Sequence, residues 1–475
     1  MASVKKNFAY NSFLSVSGYL INLILFPYCT RIFGVELFGT LNFTQNIVQY
    51  FLFFASMGIT HIGVREVAKH TNKEDLSKCY SSMLVLNSIY TLFALVVYLP
   101  LIFYINKFAA QKELFLLGGF QILFTMFTIE WFFRGIEDFK YITIRSLVIK
   151  ILYAISVFLF IKTPDDYTLY FALTVAITVV NAFVNFIYSK RFINFSFFNL
   201  DLKKYLRSSL SLGAYSILTS MYTTFNVVFL GFVWNDIQVG YYTTAIKLYI
   251  IILGFYSAFT GVMLPRMTAL LKDNNKEAYN AMISKSLELL YTVAIPLVFY
   301  MFAMAPEIIF FLAGEEFMPA ANLSRIVIPM LFVVGVAQVL NFQVLIPKGY
   351  DRVALLASII GAVVGVSLNI ILTSKFSSTG TCITVVITEM CVTSYYIYVV
   401  LKNKLIQINT KSFLLHVVWS LPYLLICYMS KLAFSNSFWF SLISASFCCL
   451  VYFAVSQKYF IKNQLLLYIL PQWNR

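Results

Sequence analysis

The chain is 475 residues long, 60% apolar, 18% aromatic and only 12% charged, with 35 basic residues against 20 acidic ones and a net charge of +15. A soluble domain carries about 25% charged residues, so the roughly three domains that this length would make could not be clothed in charge, and an ordinary soluble enzyme is excluded. Nucleic-acid binding is excluded as well, because it needs a basic cluster on a polar domain and no such domain can be cut from the chain.

A membrane helix takes about 20 apolar residues, and apolar stretches bounded by charge or turn residues predict fourteen of them in chain order. The first six lie near residues 11–31, 40–62, 80–104, 113–133, 142–161 and 167–188. Six more lie near 208–231, 241–264, 286–312, 322–346, 353–373 and 380–401, and two follow near 412–430 and 438–454. The fold class is therefore an all-α polytopic membrane protein with 12 to 14 transmembrane helices. Lys5 and Lys6 before an apolar run imitate a secretion signal, but the run continues for about 20 residues without a small-residue cleavage site and reads as the first span. Every connection is short, which leaves no extramembrane domain to hold a catalytic site. The 7 cysteines, an odd number found mostly in apolar stretches, read as small apolar side chains and not as a disulfide framework.

Sidedness follows from the basic residues. The N-terminus, the even-numbered loops and the C-terminal tail hold 26 of the 35, the odd-numbered loops hold 7, and Lys150 and Lys247 lie inside spans. Both termini are expected in the cytoplasm of a bacterial inner membrane, and most of the net charge is thereby a matter of topology.

A shift of 201 residues brings Gly39 onto Gly240 and Arg65 onto Arg266. Each glycine opens the second span of its half, and each arginine closes it. Spans one to six (residues 1–200) and seven to twelve (201–405) are each an even number of crossings, so the halves form a parallel repeat about an axis along the membrane normal. Residues 406–475, two additional spans and a cytoplasmic tail, lie outside it.

A few charges are not explained by topology. A Lys or Asp at the centre of a span costs about 2.5–3.5 kcal/mol on insertion scales. Glu130 with Arg134 and Glu288 with Lys285 read as local helix pairs. Lys150, Lys247 and Glu389 have no opposite charge three or four residues away. For the lysines two readings stand: snorkelling to the interface, or a substrate contact. For Glu389 they are a buried pair with a lysine, a protonated carboxyl, or a site that couples transport to H+ or Na+. Pro27 removes a backbone hydrogen bond four residues before Arg31 and marks a hinge in span one. Asn22, Gln45, Asn46, Gln49 and Asn226 add polar groups to spans one, two and seven, and Asn46 falls on Lys247 under the shift. The pattern predicts a hydrated, basic cavity suited to an anion such as pyrophosphate. His61, His70 and His416 lack metal-ligand spacing, and phosphate loops, zinc patterns and nucleophile elbows are absent. No cofactor is expected beyond a coupling ion, and no enzyme activity.

The stretch Arg31-Ile32-Phe33-Gly34, Leu37-Phe38-Gly39, Gly58 and Gly63-Val64-Arg65-Glu66-Val67-Ala68 resembles the N-terminal signature of the Wzx-type flippases, exporters of lipid-linked oligosaccharides for O-antigen and capsule. Val239-Gly240-Tyr241-Tyr242-Thr243-Thr244-Ala245-Ile246-Lys247 is similar to that family's entry to span eight. The resemblance covers about residues 1–405. It implies the fold of the multidrug, oligosaccharidyl-lipid and polysaccharide exporters, the MATE-like arrangement of two parallel six-helix bundles, here with two C-terminal helices added. It also implies an undecaprenyl-pyrophosphate oligosaccharide as substrate, alternating access as mechanism, and a polysaccharide polymerase and chain-length regulator as partners. Arg31 and Lys247 match basic positions able to contact the pyrophosphate, and Arg65 and Arg266 match the cytoplasmic ends of spans two and eight, where a gate would sit. Lys150 and Asn46 join the site on the bottom-up argument alone. Lipid II transport, drug or cation export on the same fold, and a membrane polysaccharide polymerase remain as alternatives.

Overall fold

The computed structural model describes residues 4–70, 72–196, 198, 200–273, 275–406 and 410–461, and the C-terminal tail lies outside the described residues. Among the described residues every regular element is helical. By length and composition 11 helices can cross a membrane, or 12 with one bent pair taken as a single span. Two of these, Val16–Val67 and Asp351–Lys402, run 52 residues. At 1.5 Å per residue each would be about 78 Å long, more than twice an apolar core of roughly 30 Å. Each is divided into two crossings at one residue, Gly34 (φ 68°) in the first and Ser377 (φ 54°) in the second, and the first is interrupted again at Met57 and Gly58. Counting both twice turns the 12 into fourteen crossings, in agreement with the apolar stretches.

The apolar windows place a loop between residues 31 and 40. Helix instead occupies both sides of Gly34, because glycine enters the left-handed region without steric cost and one residue can serve as the connection. Pro27 lies within helical backbone upstream of that break.

The chain divides into two compact units, 1–240 and 241–475. In the first, span one (4–33) and span two (35–56) are followed by span three (Lys73–Tyr104), whose N-terminus is capped by Asn72 accepting from the Glu74 amide. Span four (Lys112–Gly135), span five (Phe139–Phe160) and span six (Tyr167–Ser189) follow. Span seven is the bent pair, Leu202–Thr223 and Phe225–Val233, with an angle of 50° between them. Toward the basic loops the unit packs around Tyr80, Trp131, Phe132 and Phe133, all buried. Its outer surface is the inverse of a soluble protein's: Phe93, Val96, Phe103, Leu159 and Ile187 are all exposed, as a hydrocarbon solvent permits.

Span eight, within the helix Asp236–Lys272, begins in the first unit and continues into the second. The second unit then holds span nine (Lys276–Ala303), span ten (Ala320–Leu345), span eleven (351–376) and span twelve (378–402). Spans thirteen (Thr410–Ala433) and fourteen (Phe438–Phe460) are sparsely buried, at 22% and 17%. Polar contacts nevertheless tie them to span nine and the short helix after it. His416 Nε2 lies 3.2 Å from Thr292 Oγ1, the Tyr300 and Ser446 hydroxyls are 2.6 Å apart, and Lys431 Nζ is 2.8 Å from the buried Glu307 carboxylate. The two added helices are thus bonded parts of the second unit. One sequence expectation fails in this unit: among the described residues no contact within 4 Å joins Glu288 to Lys285. Spacing permits an i−3 pair but does not compel two flexible side chains to meet.

Candidate functional site

In the first unit, Arg31 ends span one with an exposed side chain. The turn before it is held against span five by Tyr28, whose hydroxyl donates to the Ile161 carbonyl at 2.7 Å and whose ring lies 4.7 Å from that of Phe158. Along span two a polar stripe follows the helical repeat. Asn42 Nδ2 donates to the Phe38 carbonyl at 2.7 Å, and Asn46 Nδ2 to the Asn42 carbonyl at 2.8 Å. Thr44 Oγ1 and Gln45 Oε1 are buried with no hydrogen-bond partner among the described residues, a costly state for a buried polar atom.

Lys150 projects from span five onto span one, where its Nζ occupies the space beside Gly18. A Cβ at residue 18 would stand 2.8 Å from it. Its charge is felt by Glu130, which lies outside the i±4 window of sequence spacing. Glu130 is the centre of a cluster at the basic end: Arg134 Nη2 is 2.7 Å from its Oε1 and Arg145 Nη2 is 3.1 Å from its Oε2. Arg145 also donates to Ser146 Oγ at 2.8 Å and to Asn185 Oδ1. The Glu130–Arg134 pair matches the sequence expectation. Arg145 was legible only as one more basic residue near a loop, yet it is buried.

Arg65, at the end of the short helix Ile59–Val67, contacts Glu66 Oε1 at 3.1 Å, and Lys69 reaches the same oxygen at 2.8 Å. Glu66 is buried while both cations are exposed. Arg266, its counterpart in the repeat, is exposed in the second unit.

At the opposite end of the first unit the two repeat glycines touch. A Cβ on Gly39 would stand 1.7 Å from the Asp236 carbonyl oxygen and 2.9 Å from the Gly240 nitrogen. A Cβ on Gly240 would stand 2.3 Å from the Val35 carbonyl oxygen. Residue 236 is residue 35 shifted by 201, and 240 is 39 so shifted, so the contact maps onto itself under the repeat. Around it, Asp236 accepts from Thr40 Oγ1 at 2.8 Å and pairs with Lys107 Nζ at 2.6 Å, and Lys107 stands 4.3 Å above the Phe43 ring. Neither Lys107 nor Asp236 is singled out by sequence, since each lies at a span end where charge is ordinary.

In the second unit Lys247 is half-buried, on the helix that carries the buried Tyr242, Ala245 and Leu248. Glu389 is half-buried on span twelve, close enough to Tyr249 for its charge to act on the phenol. Among the described residues no Lys or Arg approaches its carboxylate within 4 Å, which removes the buried-pair reading and leaves the other two. The described residues contain no group of three metal-ligating side chains.

A sequence profile of a family of polysaccharide biosynthesis proteins matches residues 4–271. Two curated relatives are assigned as O-antigen transporters. The one from Escherichia coli K12 is 22% identical over 85% of this chain and 98% of its own length, and the one from Shigella dysenteriae is 22% identical over 82% and 98%. Among solved structures, the lipid II flippase MurJ in an inward closed conformation superposes with a TM-score of 0.76 at 16% identity, over 95% of this chain and 98% of its own. An inward-facing multidrug resistance MATE transporter superposes with a TM-score of 0.60 at 16% identity, over 85% and 96%. At these identities the structural likeness establishes the fold.

Proposed function

The chain belongs to the polysaccharide biosynthesis protein family, and from that premise we propose that it is a Wzx-type flippase. In this reading it carries an undecaprenyl-pyrophosphate-linked oligosaccharide from the cytoplasmic to the outer leaflet of the bacterial inner membrane, by alternating access, for O-antigen or capsule assembly. The observation that carries the reading is the pairing of the family match with relatives aligned over 98% of their length that are themselves assigned as O-antigen transporters. The exporter fold supports it, as do basic side chains placed within or at the ends of apolar spans.

The pyrophosphate is the fixed part of any such substrate, and lysine and arginine are its natural donors. Arg31, Lys247, Lys150 and Asn46 are assigned to it. Arg65 and Arg266 are assigned to the cytoplasmic gate and Pro27 to the hinge. Glu389 takes the H+ or Na+ that would drive the cycle, and a polymerase and chain-length regulator consume the product. The repeats are residues 1–200 and 201–405, with 406–475 as an extension and both termini cytoplasmic.

Arg31→Ala combined with Lys247→Ala is expected to lower surface polysaccharide about tenfold or more in cells that depend on this protein, with lipid-linked units accumulating on the cytoplasmic side. Normal assembly in the double variant, with the protein present in the membrane, would refute the site. Glu389→Gln is expected to abolish the pH or sodium dependence of transport in proteoliposomes. Undiminished, ion-independent transport in both forms would discard the coupling role and leave the flippase reading intact.

A further inference from the structure

We propose that a groove at the basic end of the first unit, between the start of span five and the end of span six, binds the phosphate of a membrane phospholipid. The groove encloses about 490 Å³ and is lined by Asp138, Lys140, Tyr141, Arg145, Val148 and Tyr188, among others. Its wall is rigid. Tyr141 and Tyr188 stack with ring centroids 3.8 Å apart and an interplanar angle of 12°. Tyr188 donates to Asp138 Oδ2 at 3.1 Å, Asp138 Oδ1 accepts from the Tyr141 amide at 3.2 Å, and Tyr141 donates to Asn185 Oδ1 at 3.2 Å.

Three cations surround this wall. Lys140 is exposed at the groove's mouth. Arg191 stands 5.1 Å from the Tyr188 ring and Arg145 stands 5.5 Å from the Tyr141 ring. Among the described residues neither Lys140 nor Arg191 has an acidic side chain within 4 Å. Arg145 is buried, and its Nε has no hydrogen-bond partner among the described residues although both Nη atoms do. Asp138 is the carboxylate that lines the groove, and two neutral donors already hold it; Glu130, the partner of Arg145, is matched by Arg134 as well. The balance is positive, as a phosphate requires.

The rest of the groove selects a lipid over a free anion. Ile144, Val148 and Val184 line it with exposed side chains, and Leu152, Ile155, Val180 and Phe183 continue that apolar face along both spans. A phosphate at the level of Lys140 would place its acyl chains along this strip. The loops at this end carry the basic excess, which suits the headgroup level of one leaflet. An ordinary diacyl phospholipid of that leaflet is the occupant with this chemistry. None of Arg31, Asn46, Lys150 and Lys247 lines the groove.

The test is native mass spectrometry of the purified full chain, titrated separately with phosphatidylglycerol, a monoacylglycerol of matched chain length, and a polyprenyl phosphate. K140Q/R191Q is expected to weaken the tightest phosphatidylglycerol site roughly tenfold or more. V148W, which fills the apolar strip and keeps all three cations, is expected to do the same. Monoacylglycerol should bind both forms equally and weakly. Unchanged phosphatidylglycerol affinity in both variants would overturn the proposal, as would equal affinity for the monoacylglycerol. Polyprenyl phosphate displacing phosphatidylglycerol at tenfold lower concentration would reassign the groove to the transported lipid. Both variants alter only the lipid-facing side, so their thermal midpoints in lipid-free detergent should equal the parent's.

Discussion

Gly39→Ala is expected to reduce surface polysaccharide about tenfold or more in cells that rely on this protein, while the protein itself still inserts and accumulates. The added methyl would sit 1.7 Å from the Asp236 carbonyl oxygen and 2.9 Å from the Gly240 nitrogen. Both are backbone atoms and cannot swing aside, so the entrances of spans two and eight would have to part by about 1.5 Å or more to restore ordinary contact. Overpacking of this kind costs typically 1–3 kcal/mol, which is a factor of about 5 to 150 in the population of this contact. The Asp236 pairs with Lys107 and Thr40 flank this contact and would lengthen with it. In the proposed alternating-access cycle, which closes this end before opening the other, transport would stall. Gly240→Ala, which meets the Val35 carbonyl at 2.3 Å, should reproduce the defect. Gly119→Ala is the control, because its new methyl would find Leu99 Cδ2 at 3.5 Å, an ordinary contact. Full polysaccharide assembly in Gly39→Ala cells would show that the closed contact is dispensable.

The second large effect is on stability. Arg145→Ala should cost about 1.5–3 kcal/mol, the range for losing hydrogen bonds to a charged group, and should lower the thermal midpoint of the purified protein markedly. The guanidinium is 5% exposed and donates to Glu130, Ser146 and Asn185 together, so its loss removes a donor from each, leaving Glu130 to Arg134 and Asn185 to Tyr141. Arg134→Ala touches the same carboxylate from a side chain that is 43% exposed and should cost at most about 1 kcal/mol. Replacing both partners, Glu130→Gln with Arg145→Met, should recover part of the loss, since the charge left behind, Arg134, is 43% exposed to solvent. A midpoint for Arg145→Ala equal to that of Arg134→Ala would mean that the cluster holds nothing together.

Most of the architecture was open to reading because lipid imposes one rule on every span: about 20 apolar residues in helical form. That rule yields fourteen crossings from composition alone, and it assigns the charge surplus to loops. The rule is silent on how spans connect, which is why Gly34 and Ser377, each a one-residue break, were hidden inside expected loops. Through-space partners were hidden for the same reason. The charge that reaches Lys150 comes from Glu130, far from it in sequence. Arg145 resembled any loop-flanking base until burial set it apart, and the Glu288–Lys285 spacing suggested a pair that does not form. The glycine repeat lay between these cases. The 201-residue shift announced that Gly39 and Gly240 are equivalent, but only coordinates reveal that equivalent residues meet each other.

That meeting has the form of a symmetric interface. Two identical chains related by a twofold axis make contacts in which residue i touches j and j touches i, and residues 35, 39, 236 and 240 obey this relation within one polypeptide. The two sides differ in their side chains: residue 35 is valine, while residue 236 is aspartate and pairs with Lys107. A seam that is reciprocal in its backbone is thus fastened from one side only.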